Sequence, residues 1–265
     1  MGEASQTVKL NYKQIGKGPV LIILHGLFGS LDNWQTLIKL LSEKYSVYCV
    51  DLRNHGRSPH TDEFSIPLMA YDVLQFLDDH HLEKVNIMGH SLGGKVALQM
   101  LNVNSQLISK TIILDIAPKV YPKGHEQIFK AMFSLDLQSL SSRSEADIKM
   151  TKWIPDVIVR QFILKNLDRN KNGAFKWKVY LNAIYKNCDE INKEIIFQHP
   201  VLNEVLFVKG SLSKYILDED ETIIKASLPN ATFKVVEGAG HWIHADKPAE
   251  LLEIITNYYS PVGTV

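Results

Sequence analysis

Six short apolar runs rich in β-branched residues punctuate the chain: Val20 to Leu24, Tyr45 to Val50, Val85 to Met88, Thr111 to Leu114, Val205 to Val208 and Thr232 to Val236. Most are continuous rather than alternating, which predicts strands buried on both faces of a parallel sheet. A looser alternation from Val8 to Tyr12, ending near Gly16 to Pro19, predicts an antiparallel edge hairpin ahead of them. Helical spacing separates the runs: Trp34, Leu37, Ile38 and Leu41, then Met69, Val73, Phe76 and Leu77 behind a Ser65 cap and Pro67, and finally Leu251, Leu252, Ile255 and Tyr259 after Pro248. Strand and helix alternate, so the expected class is α/β with a doubly wound, mostly parallel sheet. In such a sheet the chemistry gathers at the carboxyl ends of the strands.

The alternation lapses between about Tyr121 and His199, where the pattern turns helical and aromatic (Phe129, Phe133, Trp153, Phe162, Trp177) without a convincing buried strand. We expect a helical cap inserted at 121–198 into a core formed by 1–120 and 199–265. Leaving the sheet after Asp115 and returning before Val205, it would sit over the carboxyl edge.

At 265 residues the chain can bury a substantial core, and a net charge of zero with scattered Lys and Arg offers no field for nucleic acid or an anionic membrane surface. The expected partner is a small molecule. Cys49 and Cys188 form neither a metal signature nor a disulfide framework. The first ten residues lack the regions of a secretion signal, and no run is long enough for a bilayer span, so the expected setting is soluble and cytoplasmic. Gly2 after Met1 invites a myristoylation reading, but the hydroxyl that motif needs falls on Gln6.

The candidate chemistry begins at Gly89-His90-Ser91-Leu92-Gly93-Gly94, between an apolar run and a helical pattern. That context makes Ser91 a nucleophile on a strand-to-helix elbow too tight for side chains two residues either side. A serine hydroxyl needs a base, and the base needs an orienting carboxylate. Gly238-Ala239-Gly240-His241 follows the last run and puts His241 at the same sheet edge; His25, His55, His90 and His244 are better read as structural or supporting. No carboxylate stands in Gly210-Ser211-Leu212-Ser213, but Asp115 ends the run Ile112-Ile113-Leu114 and would be costly to bury unpartnered. Asp115 is therefore the expected acid, a turn cap before Pro118 its plainer role, and Asp218 or Asp220 the reserve. Ser213 becomes a helper able to bond the carboxylate or the imidazole. The amides of Leu27 and Leu92 are expected to hold an oxyanion, and Phe28, Trp242 and His90 to contact substrate. Asp51 to Ser58 is expected to be a hydrogen-bonded turn that shapes the site.

Together His25-Gly26-Leu27-Phe28-Gly29-Ser30, Asp51-Leu52-Arg53-Asn54-His55-Gly56-Arg57-Ser58, the Ser91 elbow, Leu114-Asp115-Ile116-Ala117-Pro118 and Gly238-Ala239-Gly240-His241-Trp242-Ile243-His244 resemble the α/β-hydrolase superfamily. The chain is most similar to a branch of small acyl esterases, bacterial with mitochondrial relatives. In that branch a serine replaces the aspartate after the penultimate strand, and the acid follows the strand after the nucleophile; Ser213 and Asp115 match. The resemblance implies cofactor-free hydrolysis of carboxylic esters or acyl thioesters, of small to medium acyl length, through an acyl-enzyme. Two rivals remain: a lyase or carbon–carbon bond hydrolase, for which Arg143, Arg160 and Arg169 are the cap residues able to hold a carboxylate, and a hydrolase-like receptor that binds without turnover.

Overall fold

The computed structural model describes residues 7–260. Gly2 and the myristoylation reading lie outside them. In chain order the first half comprises β1 (Tyr12–Ile15), β2 (Val20–Leu24), α1 (Gln35–Leu41), β3 (Ser46–Val50), α2 (Ile66–Asp79), β4 (Val85–His90), α3 (Leu92–Asn104) and β5 (Ile108–Leu114). Then come α4 (Glu126–Phe133), α5 (Arg143–Met150), α6 (Val157–Leu164), β6 (Leu167–Arg169), β7 (Phe175–Trp177), α7 (Leu181–Lys186) and α8 (Cys188–Asn192). The chain closes with β8 (Glu204–Gly210), α9 (Asp220–Ser227), β9 (Ala231–Val236), α10 (Ile243–Asp246) and α11 (Pro248–Tyr259).

Seven strands make one sheet in the order β1-β3-β2-β4-β5-β8-β9, all parallel except β1. Because side chains alternate across a strand, β2 sends Ile22 and Leu24 to one apolar layer and Leu21 and Ile23 to the other. The first layer packs against α2 and α3 through Met69, Val73, Val96 and Leu101; the second packs against α1 and α11 through Leu37, Ile38, Leu251 and Ile255. Each such aliphatic side chain, fully buried, stabilises the fold by roughly 1.5–3 kcal/mol over its exposed state. α2 begins as its sequence demands, with the Ser65 hydroxyl accepting from the Leu68 amide at 3.4 Å and Pro67 in the first turn. Among the described residues no helix is long and apolar enough to cross a membrane.

Three expectations are corrected. The edge strand is Tyr12–Ile15 rather than Val8 to Tyr12, and it forms no hairpin with β2: it pairs antiparallel with β3, Tyr12 opposite Val50. β2 is already flanked by β3 and β4, so the free edge lies one strand further out. β9, at the opposite edge, is not buried on both faces, for Thr232, Lys234 and Val235 are exposed. The segment between β5 and β8 is mostly helical but holds an antiparallel pair, β6 with β7, Leu167 opposite Trp177. Strands of three residues are too short to show a period.

The loops after β2 and β3 are fixed by buried polar groups. Asp51 accepts from the amides of Leu31 (2.8 Å) and Arg57 (2.9 Å) and from the Asn11 side chain (2.7 Å). Arg53 is held by Asp72 of α2 in a two-pronged contact, Nε to Oδ2 at 2.5 Å and Nη2 to Oδ1 at 2.7 Å. His25 donates Nδ1–H to the Gly26 carbonyl (2.8 Å) and accepts from the Leu52 amide at Nε2 (3.0 Å). His55 likewise donates to the Arg53 carbonyl (2.9 Å) and accepts from the Phe28 amide (3.2 Å). A ring that both donates and accepts must be neutral. Burial pushes His25 down to about 4, and burial with His25 nearby pushes His55 down to about 3.

The unfolded chain takes up protons on these rings below about pH 6.5, whereas the folded chain refuses them until far lower, so stability is fully present above that pH and falls as pH drops toward 4. Once both states are protonated the loss is roughly 3 kcal/mol for His25 and roughly 5 kcal/mol for His55. Urea denaturation midpoints measured from pH 7 to pH 4.5 are expected to fall steadily below pH 6.5. A flat profile would contradict neutral, two-way bonded histidines.

Candidate active site

Ser91 stands between the end of β4 and the start of α3 with φ +51° and ψ −114°. A non-glycine residue held there costs on the order of 1–3 kcal/mol and persists only where its surroundings enforce it. The enforcement is steric. A Cβ at Gly89 would lie 2.3 Å from the Gly93 carbonyl oxygen, and one at Gly93 would lie 2.4 Å from that of Leu24. Only glycine at both positions lets β4, α3 and the loop after β2 approach so closely. The Ser91 amide completes the bracing by donating to the Leu114 carbonyl at 3.0 Å.

Asp115 continues β5 by one residue, its amide donating to the Val208 carbonyl of β8 at 2.9 Å, and then turns at φ +51°. Its carboxylate is fully buried. Oδ2 accepts from His241 Nδ1 at 2.7 Å and from the Ser213 hydroxyl, while Oδ1 faces the Gly210 amide at 3.3 Å. Thus four loops of the sheet's carboxyl edge, after β4, β5, β8 and β9, supply Ser91, Asp115, Ser213 and His241. The reserve acids go elsewhere: Asp218 is exposed and paired with Lys209 at 2.5 Å, and Asp220 is bonded to Lys119 at 2.5 Å and to the Leu217 amide at 2.8 Å.

With its Nδ1–H donating to the Asp115 carboxylate, the His241 ring leaves Nε2 as an acceptor. The Tyr215 ring stacks on the imidazole, centroids 3.8 Å apart and planes 16° from parallel, and His90 Nε2–H donates to the His241 carbonyl at 2.8 Å. His90 is buried, and burial with His241 and His244 close by pushes it well below the ordinary histidine range. His244 stacks on Trp34 at 4.4 Å and is pushed down to about 4, chiefly by burial. Both therefore act as neutral supports around His241.

Two cavity lobes meet at Ser91 and His241. The larger, about 420 Å³, is bordered by Leu92, Lys95, Tyr121 and Asn192; the smaller, about 230 Å³, by Phe28, His90, Ile128, Phe162 and Trp242. Leu27, His125 and Tyr215 border both. Among the described residues no protein acceptor takes the amide of Leu27 or of Leu92. His125, at the start of α4, is a site residue that sequence reasoning missed. Among the described residues its buried Nδ1 has no partner, and burial pushes the ring down to about 4. Tyr215 and Asn192 were missed as well, with no local pattern to mark them. Lys95 carried a signal, a charge on the apolar face of α3. Arg143, Arg160 and Arg169 border neither lobe and spend their guanidinium groups on the Leu167 carbonyl, on Asp147 and on the Gly173 carbonyl respectively.

Comparison with known proteins places this geometry. The family model described as the alpha/beta hydrolase fold matches residues 19–248. The chain is 36% identical to a putative esterase/lipase of Haemophilus influenzae over 258 residues, 94% of this chain and 88% of that protein. It is equally 36% identical over 249 residues to the sn-1-specific diacylglycerol lipase ABHD11 of Xenopus laevis, 91% of this chain and 80% of the relative. A solved structure titled as a marine microorganism esterase superposes with a TM-score of 0.93 at 38% identity, covering 95% of this chain and all of that one. The chain belongs to the α/β hydrolase fold family, in a branch of esterases with bacterial and eukaryotic relatives.

Proposed function

We propose that this chain hydrolyses carboxylic esters with Ser91 as nucleophile, His241 as general base and Asp115 as the acid behind it. One observation carries the reading: a buried carboxylate accepting from His241 Nδ1 at 2.7 Å, in a chain whose strained serine borders the same cavity. The Ser91 hydroxyl attacks the acyl carbonyl as His241 Nε2 takes its proton, and Asp115 stabilises the imidazolium. The uncommitted amides of Leu27 and Leu92 receive the oxyanion. His241 then protonates the leaving alcohol, or thiol in the case of a thioester, and water releases the acid from the acyl-enzyme by the reverse proton path. Ser213 acts as a positioning residue, its hydroxyl fixing Asp115 Oδ2.

In this reading 121–198 is a cap over a core of 1–120 and 199–265, supported by His125 and Asn192, which bring that segment to the cavity wall. Small to medium acyl chains fit lobes of this size, with Phe28 and Trp242 as apolar walls of the smaller one. The setting is cytoplasmic, compatible with the free thiols of Cys49 and Cys188. The carbon–carbon bond hydrolase loses its support because the three cap arginines are engaged away from the cavity.

Turnover of p-nitrophenyl butyrate is expected in the purified chain and is expected to vanish in Ser91→Ala with the fold intact by circular dichroism; full activity in that variant would end the proposal. A binding-only receptor would bind the ester without multiple turnover. Asp115→Asn is expected to lower kcat by roughly 10⁴-fold, the scale of losing an orienting carboxylate. Asp218→Asn serves as the control and should leave kcat unchanged. The reverse ranking would assign the acid to Asp218.

A further inference from the structure

The larger lobe contains donors that ester cleavage does not consume. Lys95 lies four residues past Ser91 on α3, one turn and about 6 Å along the axis. It is 1% exposed yet borders the lobe. Its Nζ donates to the carbonyls of Lys193 (2.5 Å) and Ile191 (3.2 Å), with the Tyr121 ring 5.1 Å away. An ammonium has three donors, so one is left without an oxygen acceptor among the described residues. Beside it Asn192, the last residue of α8, is 9% exposed, and its side-chain amide nitrogen has no hydrogen-bond partner there. Lys214 borders the same lobe.

Buried donors without acceptors are rare in folded chains, and where they cluster on a cavity wall the missing acceptor belongs to whatever fills the cavity. The acceptor must be anionic or strongly polar to compensate a buried cation. Glu194 is the carboxylate whose charge bears on Lys95, and it is exposed, outside the lobe lining. Burial pushes Lys95 down to about 8, so the group stays mostly charged at neutral pH, and an anion arriving in the lobe would favour that charged form further.

We infer that Lys95 and Asn192 form a subsite for a free carboxylate on the substrate, making half-esters of short dicarboxylic acids, or esters of short hydroxy acids, the preferred class. The inference rests on Ser91 being the nucleophile. A single turn of helix between Ser91 and Lys95 matches a carboxylate a few carbons from the scissile carbonyl. The carboxylate can be carried on the acyl side, as in monomethyl glutarate, or on the alcohol side, as in 4-acetoxybutyrate, and the two are separable by experiment.

The test compares kcat/KM for monomethyl glutarate against methyl valerate, and for 4-acetoxybutyrate against butyl acetate, by pH-stat at pH 7. In one of the two pairs the charged ester is expected to be favoured at least tenfold, the scale of a single hydrogen bond to a charged group. Lys95→Met and Asn192→Asp are each expected to bring the ratio of kcat/KM for the charged ester to that for its neutral partner down to about one, a ratio in which any general change of turnover cancels. Asn192→Asp also covers the case in which Lys95→Met fails to fold, since it keeps the side-chain shape and reverses the electrostatics. No preference in either pair, or a preference that survives Asn192→Asp, overturns the subsite. Should neither ester class be cleaved, the nucleophile assignment fails instead. The subsite is then decided by calorimetric titration of monomethyl glutarate into Ser91→Ala with and without Asn192→Asp: weaker binding in the double variant supports it, and equal binding refutes it.

Discussion

The carboxylate of Asp115 is the constraint around which this site is organised. It is a charge with no access to water, and such a charge is tolerated only when its lone pairs are occupied by good donors. The His241 ring and the Ser213 hydroxyl share one oxygen, and the Gly210 amide faces the other. Those donors come from the last residue of β8 and from the loops after β8 and β9, far along the chain. Bonding them to one residue at the end of β5 fixes how three loops meet, and Ser91, braced against Leu114, completes the edge.

A second layer of order surrounds that carboxylate. His25, His55 and His90 are buried and His244 is half-buried, and all four are pushed down in pKa, each by desolvation first. They serve as neutral struts: His25 and His55 pin the loops carrying Leu27 and Phe28, and His90 holds the His241 backbone. Among these five imidazoles only His241 has a carboxylate behind it. The geometry thereby separates one base from its neighbours by partner rather than by residue type, and it leaves the two uncommitted amides of Leu27 and Leu92 at the same cavity.

The inner strands were legible because continuous apolar runs such as Ile112-Ile113-Leu114 can only be buried on both faces, and an aspartate ending such a run announces a partner. His241 was legible from the glycines before it, and Ser91 from the glycines on either side, since both are steric requirements written in residue type. What escaped depended on distance across the fold. The pairing of β1 with β3 follows sheet order rather than chain order, and β6 with β7 is too short to show a period. The stack of Tyr215 on His241, the place of His125 at the junction of the lobes and the unpartnered amide of Asn192 arise from elements brought together only by folding. Lys95 stood in plain view as a charge on an apolar helix face.

The most direct test of the account is the low-field proton resonance of a histidine Nδ1–H bonded to a buried carboxylate, recorded by NMR on the intact chain and assigned with His241→Ala. One such signal from His241 is expected, and it disappears or moves sharply upfield in Asp115→Asn. A His241 Nδ1–H signal indifferent to Asp115→Asn would contradict it, because the imidazole would then be held by something other than the carboxylate that organises the site.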